Sequence, residues 1–349
     1  MIGEPGRHTR AEILSQPGAW QTSLRVVEAA SAEQRALWSD ARPDAVVFTG
    51  CGSTHYLAVS AAAVVAQLTG VPARGVPASE LILYPETVLP ARGRVLLVAV
   101  SRSGETTETL EGVRAFRAAG RGEIVTLSCY PDRPLARLGA ANLVFPEAQE
   151  ESVAQTRAFT SLYLACLALA ATWAGRDDVR GALAVAPVAG SRLLESGLAL
   201  PRRLGRDLSI DRVYLLGSGA RYGLACELSL KLKEMSLTHS EPFHFLEFRH
   251  GPKSMVTPST LVVGLLSESG RSAEEDVLAE LRALGARALT IGTPDADVAL
   301  PPELAEPASI VLSLLPGQWL AFERALAKGL DPDRPTHLDA VVRLERVRD

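Results

Sequence analysis

Apolar residues in this chain fall into short runs that alternate with helical patterns, and Val95-Leu-Leu-Val-Ala-Val100 is the plainest run. Six consecutive apolar residues predict a strand buried on both faces. The chain then passes through hydroxyls grouped around one glycine (Ser101, Ser103, Gly104, Thr106 and Thr107) into a helical pattern near 106–119. Comparable runs predict strands near 45–50 and 123–128 and a helix near 55–69. The order then begins again, with strands near 212–216, 261–266 and 288–292 and helices near 222–237 and 272–285. A helical stretch at 158–174 closes the first set, and 176–195, rich in Ala, Gly, Arg and Asp, reads as the crossing between sets. Strands alternating with helices imply parallel sheets covered on both faces. The expected architecture is α/β, with two tandem doubly wound, flavodoxin-like domains at 41–180 and 195–349 behind an N-terminal helical segment, 1–40.

The two sets are copies of one unit. Val46-Val-Phe-Thr-Gly-Cys-Gly-Ser-Thr54 is echoed by Val213-Tyr-Leu-Leu-Gly-Ser-Gly-Ala-Arg221, which pairs Gly50 with Gly217 and Gly52 with Gly219 at an offset of 167 residues. Ser101, Ser103 and Gly104 recur as Ser267, Ser269 and Gly270 at an offset of 166. Two pairs at nearly one offset mark a duplication. Neither Gly-x-Gly turn continues into Gly-x-Gly-x-x-Gly, because His55 and Tyr222 hold the last position, so a dinucleotide site is disfavoured. In such sheets ligands bind at the carboxyl ends of the strands, where both glycine turns fall.

A strand, a hydroxyl loop and a helix N-terminus together form the layout that holds a phosphate without a metal, since free N–H groups and the helix dipole face the anion. The plainer use of Ser and Thr there is to cap the helix. Four hydroxyls in the seven positions 101–107 exceed the needs of one cap, which favours phosphate. The absence of Gly-x-x-x-x-Gly-Lys-Ser/Thr turns the reading away from nucleoside triphosphates. A net charge of -4 argues against a broad nucleic-acid footprint. The longest lipid-like stretch, Leu162 to Ala174, is too short to span a bilayer, and Met1 to Trp20 lacks the apolar core of a signal peptide. Cys51, Cys129, Cys166 and Cys226 are scattered and read as small buried residues in a reducing compartment. A cytoplasmic protein is expected.

Candidate acid–base groups gather in the second copy. Only four of the 36 basic residues are lysines, and Lys231, Lys233 and Lys253 lie close together in sequence. Glu227, Lys231 and Glu234 share one helical face by spacing; Glu227–Lys231 reads as a solvated ion pair, whereas Glu234 opens onto a segment rich in His and Glu. His244, Glu247 and His250 have a spacing that metal ligands use, but Pro242 and Gly251-Pro252 leave little regular helix and no His-Glu-x-x-His occurs. A carboxylate and a histidine beside a sugar-phosphate site instead suit proton transfer between adjacent carbons.

In their order along the chain, Cys51-Gly-Ser-Thr54, Ser101-Arg-Ser-Gly-Glu-Thr106, Val153-Ala-Gln-Thr-Arg-Ala-Phe159, Lys231-Leu-Lys-Glu234, Arg249-His-Gly-Pro252 and Asp331-Pro-Asp-Arg-Pro335 resemble the sugar isomerase (SIS) family. The resemblance is strongest to the isomerase half of the glutamine–fructose-6-phosphate aminotransferases, and with Glu12-Ile-Leu-Ser-Gln-Pro17 it covers nearly the whole chain. It implies an enzyme without a cofactor, in which Ser53, Ser101, Ser103 and Thr106 hold the phosphate of a hexose 6-phosphate or amino-hexose 6-phosphate, and Thr54 and Arg102 are further substrate-binding candidates. By the same resemblance Val153 and Gln155 line the sugar, Glu234 moves the proton between C1 and C2, and His250 opens the ring, reaching the neighbouring subunit of a homodimer; Lys253, just after the Arg-His-Gly-Pro turn, is a further substrate-binding candidate that could stand in for the family's lysine. Neither nucleic acid nor membrane is an expected partner.

Departures from the family pattern refine the expectation. Ala340 stands where the aminotransferases carry a Schiff-base lysine, Arg102 replaces a glutamine, Gln155 replaces a serine, and Met1 opens the chain with no glutaminase half. An amino sugar brings its own nitrogen and needs no enzyme lysine. Conversion of glucosamine 6-phosphate to fructose 6-phosphate and ammonia is therefore the expected reaction. The alternatives are a plain aldose–ketose isomerase, a fructosamine-6-phosphate deglycase using Arg102 for a substrate carboxylate, and a non-catalytic sugar-phosphate sensor.

Overall fold

The structure, a computed structural model, describes residues 4–344. Three helices open the chain, α1 (Arg7–Leu14), α2 (Gln16–Ala29) and α3 (Ser31–Ala41). The first sheet follows as β1 (Ala45–Gly50), α4 (Ser53–Thr69), β2 (Ala73–Pro77), α5 (Ala78–Leu83), α6 (Pro85–Val88), β3 (Val95–Ser101), α7 (Thr107–Ala118), β4 (Ile124–Ser128) and β5 (Ala141–Val144). Its strands are all parallel, in the order β2-β1-β3-β4-β5. Every residue of β3 is buried, as its unbroken apolar run requires.

After α8 (Arg157–Trp173), α9 (Asp177–Ser196) and α10 (Ala199–Arg206), the second sheet repeats the plan. It comprises β6 (Arg212–Gly217), α11 (Ala220–Ser236), β7 (His239–Phe243), β8 (Thr260–Leu265), α12 (Arg271–Ala283), β9 (Arg287–Gly292) and β10 (Val298–Ala299), and α13 (Leu314–Ala327) ends the fold. The strand order β7-β6-β8-β9-β10 matches that of the first sheet, again all parallel. Each unit carries its own core. Leu97, Val113 and Phe116 centre the first; Leu216, Phe245, Phe248 and Val277 centre the second.

The crossing expected at 176–195 is a helix: the passage from one compact unit to the other falls at 184/185, inside α9, which carries Asp177 and Asp178 in its first turn where the helix dipole favours them and tolerates Pro187 inside. The His- and Glu-rich segment is partly a strand, β7, with His239 and Glu241 on it; Pro242 is accommodated because β7 lies at the edge of its sheet.

Compact packing divides the chain into one unit of residues 18–150, 157–184 and 339–344, built on β1–β5, and another of 4–17, 151–156 and 185–338, built on β6–β10. The short piece 151–156 belongs with the second sheet although the sequence around it belongs with the first. Among the described residues, no single helix is long and apolar enough to cross a membrane.

Candidate functional site

In both sheets the strand order reverses between the first and third strands, and the loops leaving their carboxyl ends diverge there to leave a crevice. At β1 and β6 the chain turns through Gly52 and Gly219, both at φ 56°, a region L side chains rarely enter. Gly50 and Gly217 permit the close return of the following helix: a Cβ on either would lie 2.5 Å from Thr54 Oγ1 or from the Arg221 carbonyl oxygen.

In the β1–β5 unit, Ser53 opens α4 and Ser101 ends β3, so both stand at this reversal. The Ser101 hydroxyl accepts the Gly104 N–H at 3.1 Å, and that of Ser103 accepts the Glu105 N–H at 3.2 Å. Thr106 Oγ1 lies 3.5 Å from Ser101 Oγ and 3.4 Å from Ser103 Oγ, which gathers three hydroxyls into one cluster. Thr106 occupies the N-cap of α7 but its side chain makes no capping bond. The hydroxyls are thus not consumed in capping, and the dipole of a twelve-residue helix begins beside them.

Two further substrate-binding candidates near this cluster bond to the chain itself. Thr54 closes its own turn: its hydroxyl donates to the Cys51 carbonyl at 2.9 Å and accepts the Cys51 N–H at 3.0 Å. Arg102 is buried, with Nη1 3.5 Å from Glu150 Oε2 and Nη2 donating to the Ala340 carbonyl at 3.0 Å. Its charge is matched in this structure by a fully buried carboxylate. The segment bearing Ala340 lies against the hydroxyl turn, and Leu344 N–H donates to Thr107 Oγ1 at 3.1 Å while Arg343 Nη2 donates to Glu105 Oε2 at 2.9 Å.

Cys129, Cys166 and Cys226 are buried, but Cys51, at the β1 turn, is only partly so. Beside it His55 is half-buried, and burial holds its imidazole below the usual histidine range against a hydrogen bond to the Val76 backbone that acts the other way. Burial has the same effect on His244, which stacks on Tyr222 at 3.9 Å between ring centroids, with Glu247 opposing. Both shifts favour the neutral ring in the folded state. Above the ordinary value of 6.5 neither group contributes; below it the unfolded chain takes up protons first, and stability falls. The urea midpoint is therefore expected to drop between pH 7.5 and 6, and His55→Asn to flatten that drop. A wild-type midpoint that is level across this range contradicts the assignment.

In the β6–β10 unit, Lys231 is completely buried on α11, 3.3 Å from Glu227 Oε1 and in direct contact with Glu234 Oε2. The pair expected to be solvated is instead fully buried, because the helix face carrying it packs inward. Glu234 alone of the three keeps some exposure, 18% of its side chain. The carboxylate is thus held by a fixed ammonium and still reachable. His250 is exposed at the end of the 247–249 turn, and Lys253, half-exposed, lies 3.8 Å from Glu280 Oε2 beside Arg249. Among the described residues, no group of three or more His, Cys, Asp or Glu side chains is arranged to hold a metal ion.

Val153 and Gln155 sit on the short piece 151–156, and its anchors explain two motifs that sequence alone left without a task. The Glu12 carboxylate accepts the N–H of Glu151 at 2.6 Å and of Ser152 at 3.2 Å, and it also bonds the Ser152 hydroxyl. The Asp333 carbonyl accepts the Val153 N–H at 3.3 Å, while its carboxylate accepts the Thr9 N–H and hydroxyl, each at 2.7 Å. Glu12 and Asp333 therefore tie residues 151–153 in place. Their signal was present in the ordered motifs Glu12–Pro17 and Asp331–Pro335, but no pairing between them can be read from spacing. The side-chain oxygen of Gln155 is buried with no hydrogen-bond partner among the described residues, an acceptor suited to a ligand hydroxyl.

Comparison with known proteins places this geometry. Over 361 residues the chain is 31% identical to a glutamine–fructose-6-phosphate aminotransferase (isomerizing) of Thermus thermophilus, covering 96% of this chain and 58% of that relative. The chain thus spans less than two thirds of the curated relatives it matches. A crystal structure of a glucosamine-6-phosphate deaminase from Thermotoga maritima superposes with a TM-score of 0.79 at 26% identity, covering 97% of this chain and 100% of the other. A tagatose-6-phosphate ketose/aldose isomerase from Escherichia coli superposes with a TM-score of 0.85 at 25% identity, covering 95% and 98%. The family model for the SIS domain matches residues 41–172 and 208–298, which take in most strands of both sheets and the hydroxyl turn; the chain belongs to the SIS domain family.

Proposed function

We propose that this protein is a phosphosugar isomerase that acts on an amino-hexose 6-phosphate, converting glucosamine 6-phosphate to fructose 6-phosphate and ammonia. The hydroxyl cluster of Ser101, Ser103 and Thr106 at an uncapped helix start carries the phosphate part of the reading. Ser53, at the start of α4, adds a further hydroxyl at the same strand reversal. His250 protonates the ring oxygen and opens the sugar. Glu234 takes the proton from C2 to give an enolamine and returns it to C1, leaving an imine at C2. Water then adds to that imine and ammonia departs, with no redox change and no cofactor. Ala340, at the position where the resemblance sets a Schiff-base lysine, supports a substrate that supplies its own nitrogen. Gln155 serves a sugar hydroxyl, and the reading includes a homodimer in which His250 reaches the neighbouring subunit's site.

The test is incubation of the purified chain with glucosamine 6-phosphate, with ammonia and fructose 6-phosphate both quantified. Equal amounts of the two products are expected; ammonia no higher than in an enzyme-free control rejects the reading. The likeness to the tagatose-6-phosphate isomerase favours a second reading, aldose–ketose isomerisation without loss of nitrogen. Interconversion of a keto- and an aldo-hexose 6-phosphate with no ammonia from the amino sugar would select it.

A further inference from the structure

The duplication gives the β6–β10 unit a second strand reversal built like the first, and the chain's own carboxylates fill it. Ser267 Oγ accepts the Gly270 N–H at 3.0 Å, as Ser101 Oγ accepts that of Gly104 at 3.1 Å. Here, however, α12 begins directly after Gly270, whereas α7 begins three residues after Gly104. The earlier start lets Glu274 reach back and accept the Ser267 N–H at 2.7 Å and hydroxyl at 2.9 Å. Glu108, its counterpart in the first copy, makes no hydrogen bond to Ser101 among the described residues. A second carboxylate completes the closure. Glu306 Oε1 accepts both Arg221 Nη2 and the Glu268 N–H, each at 2.8 Å.

One donor in this arrangement is left over. Arg221 is 97% buried by its 3% exposure, and its Nε has no hydrogen-bond partner among the described residues. A guanidinium edge presents Nε and Nη2 as a parallel pair, which two oxygens of one oxyanion satisfy together. Glu306 engages only Nη2. A phosphoryl group, with three oxygens at tetrahedral angles, matches the leftover donor, the engaged one and the Glu268 N–H at once.

We infer that the second strand reversal is an anion site for phosphate or a phosphate monoester, held closed by Glu306. The inference does not depend on the reaction proposed above. It is tested with inorganic phosphate in a Ser101→Ala/Ser103→Ala background, which weakens the first site, by calorimetric titration at constant ionic strength. Adding Glu306→Ala is expected to tighten phosphate binding by at least about tenfold, to one phosphate per chain, and to raise Tm in phosphate over chloride. Adding Arg221→Met as well is expected to abolish the gain. No gain on removing Glu306, or a gain that survives loss of Arg221, overturns the inference. Should Glu306→Ala fold only in phosphate, the inference is supported; should it fold in neither salt, Glu306→Gln enters the same titration, with the same outcomes deciding.

Discussion

Glu234→Gln is expected to lower turnover of glucosamine 6-phosphate by about 10²–10⁴-fold while the Kd of fructose 6-phosphate stays within about threefold of wild type. The amide matches the carboxylate in shape but takes up no proton at neutral pH. In the proposed site phosphate affinity rests on other groups, the hydroxyls of Ser101, Ser103 and Thr106, which this substitution does not touch. Single-turnover kinetics measure the first quantity and calorimetric titration the second. Turnover within tenfold of wild type removes Glu234 from proton transfer. A parallel collapse of affinity shows it to be a binding group instead. A sugar-phosphate sensor would have no turnover to lose, so the experiment also separates an enzyme from a sensor.

The second large effect concerns stability. Lys231→Met is expected to cost about 3–5 kcal/mol, because it leaves the fully buried Glu227 without its countercharge. Urea unfolding measures the loss, and Glu227→Leu added to Lys231→Met is expected to restore most of it, since an apolar pair of similar volume carries no desolvation penalty. A single variant that unfolds within about 1 kcal/mol of wild type would mean that Glu227 is compensated elsewhere.

Periodicity was enough to find the central strands and the helices beside them. The runs 45–50, 95–100 and 212–216 became β1, β3 and β6 with little change at their ends, because strands buried on both faces leave unbroken apolar runs. The edge strands were not legible. Arg74 and Gly75 in β2, and Glu241 and Pro242 in β7, carry no apolar period, since an edge strand is only partly covered. The hydroxyl turn was visible from composition alone. The burial of Lys231 was not, because the spacing of Glu227, Lys231 and Glu234 states only that they share a face, and tertiary packing decides whether that face meets water. The partner of Arg102 was hidden for a similar reason: Glu150 lies 48 residues away in sequence, and local pattern carries no information about such a pair.

The clasp on residues 151–156 bears on how the chain matures. Glu12 and Asp333 reach that segment from far apart in the sequence, one ahead of the strands of the described residues and the other after them. The setting of Val153 and Gln155 therefore rests on contacts of very long sequence separation, which close more slowly than the local secondary structure forms.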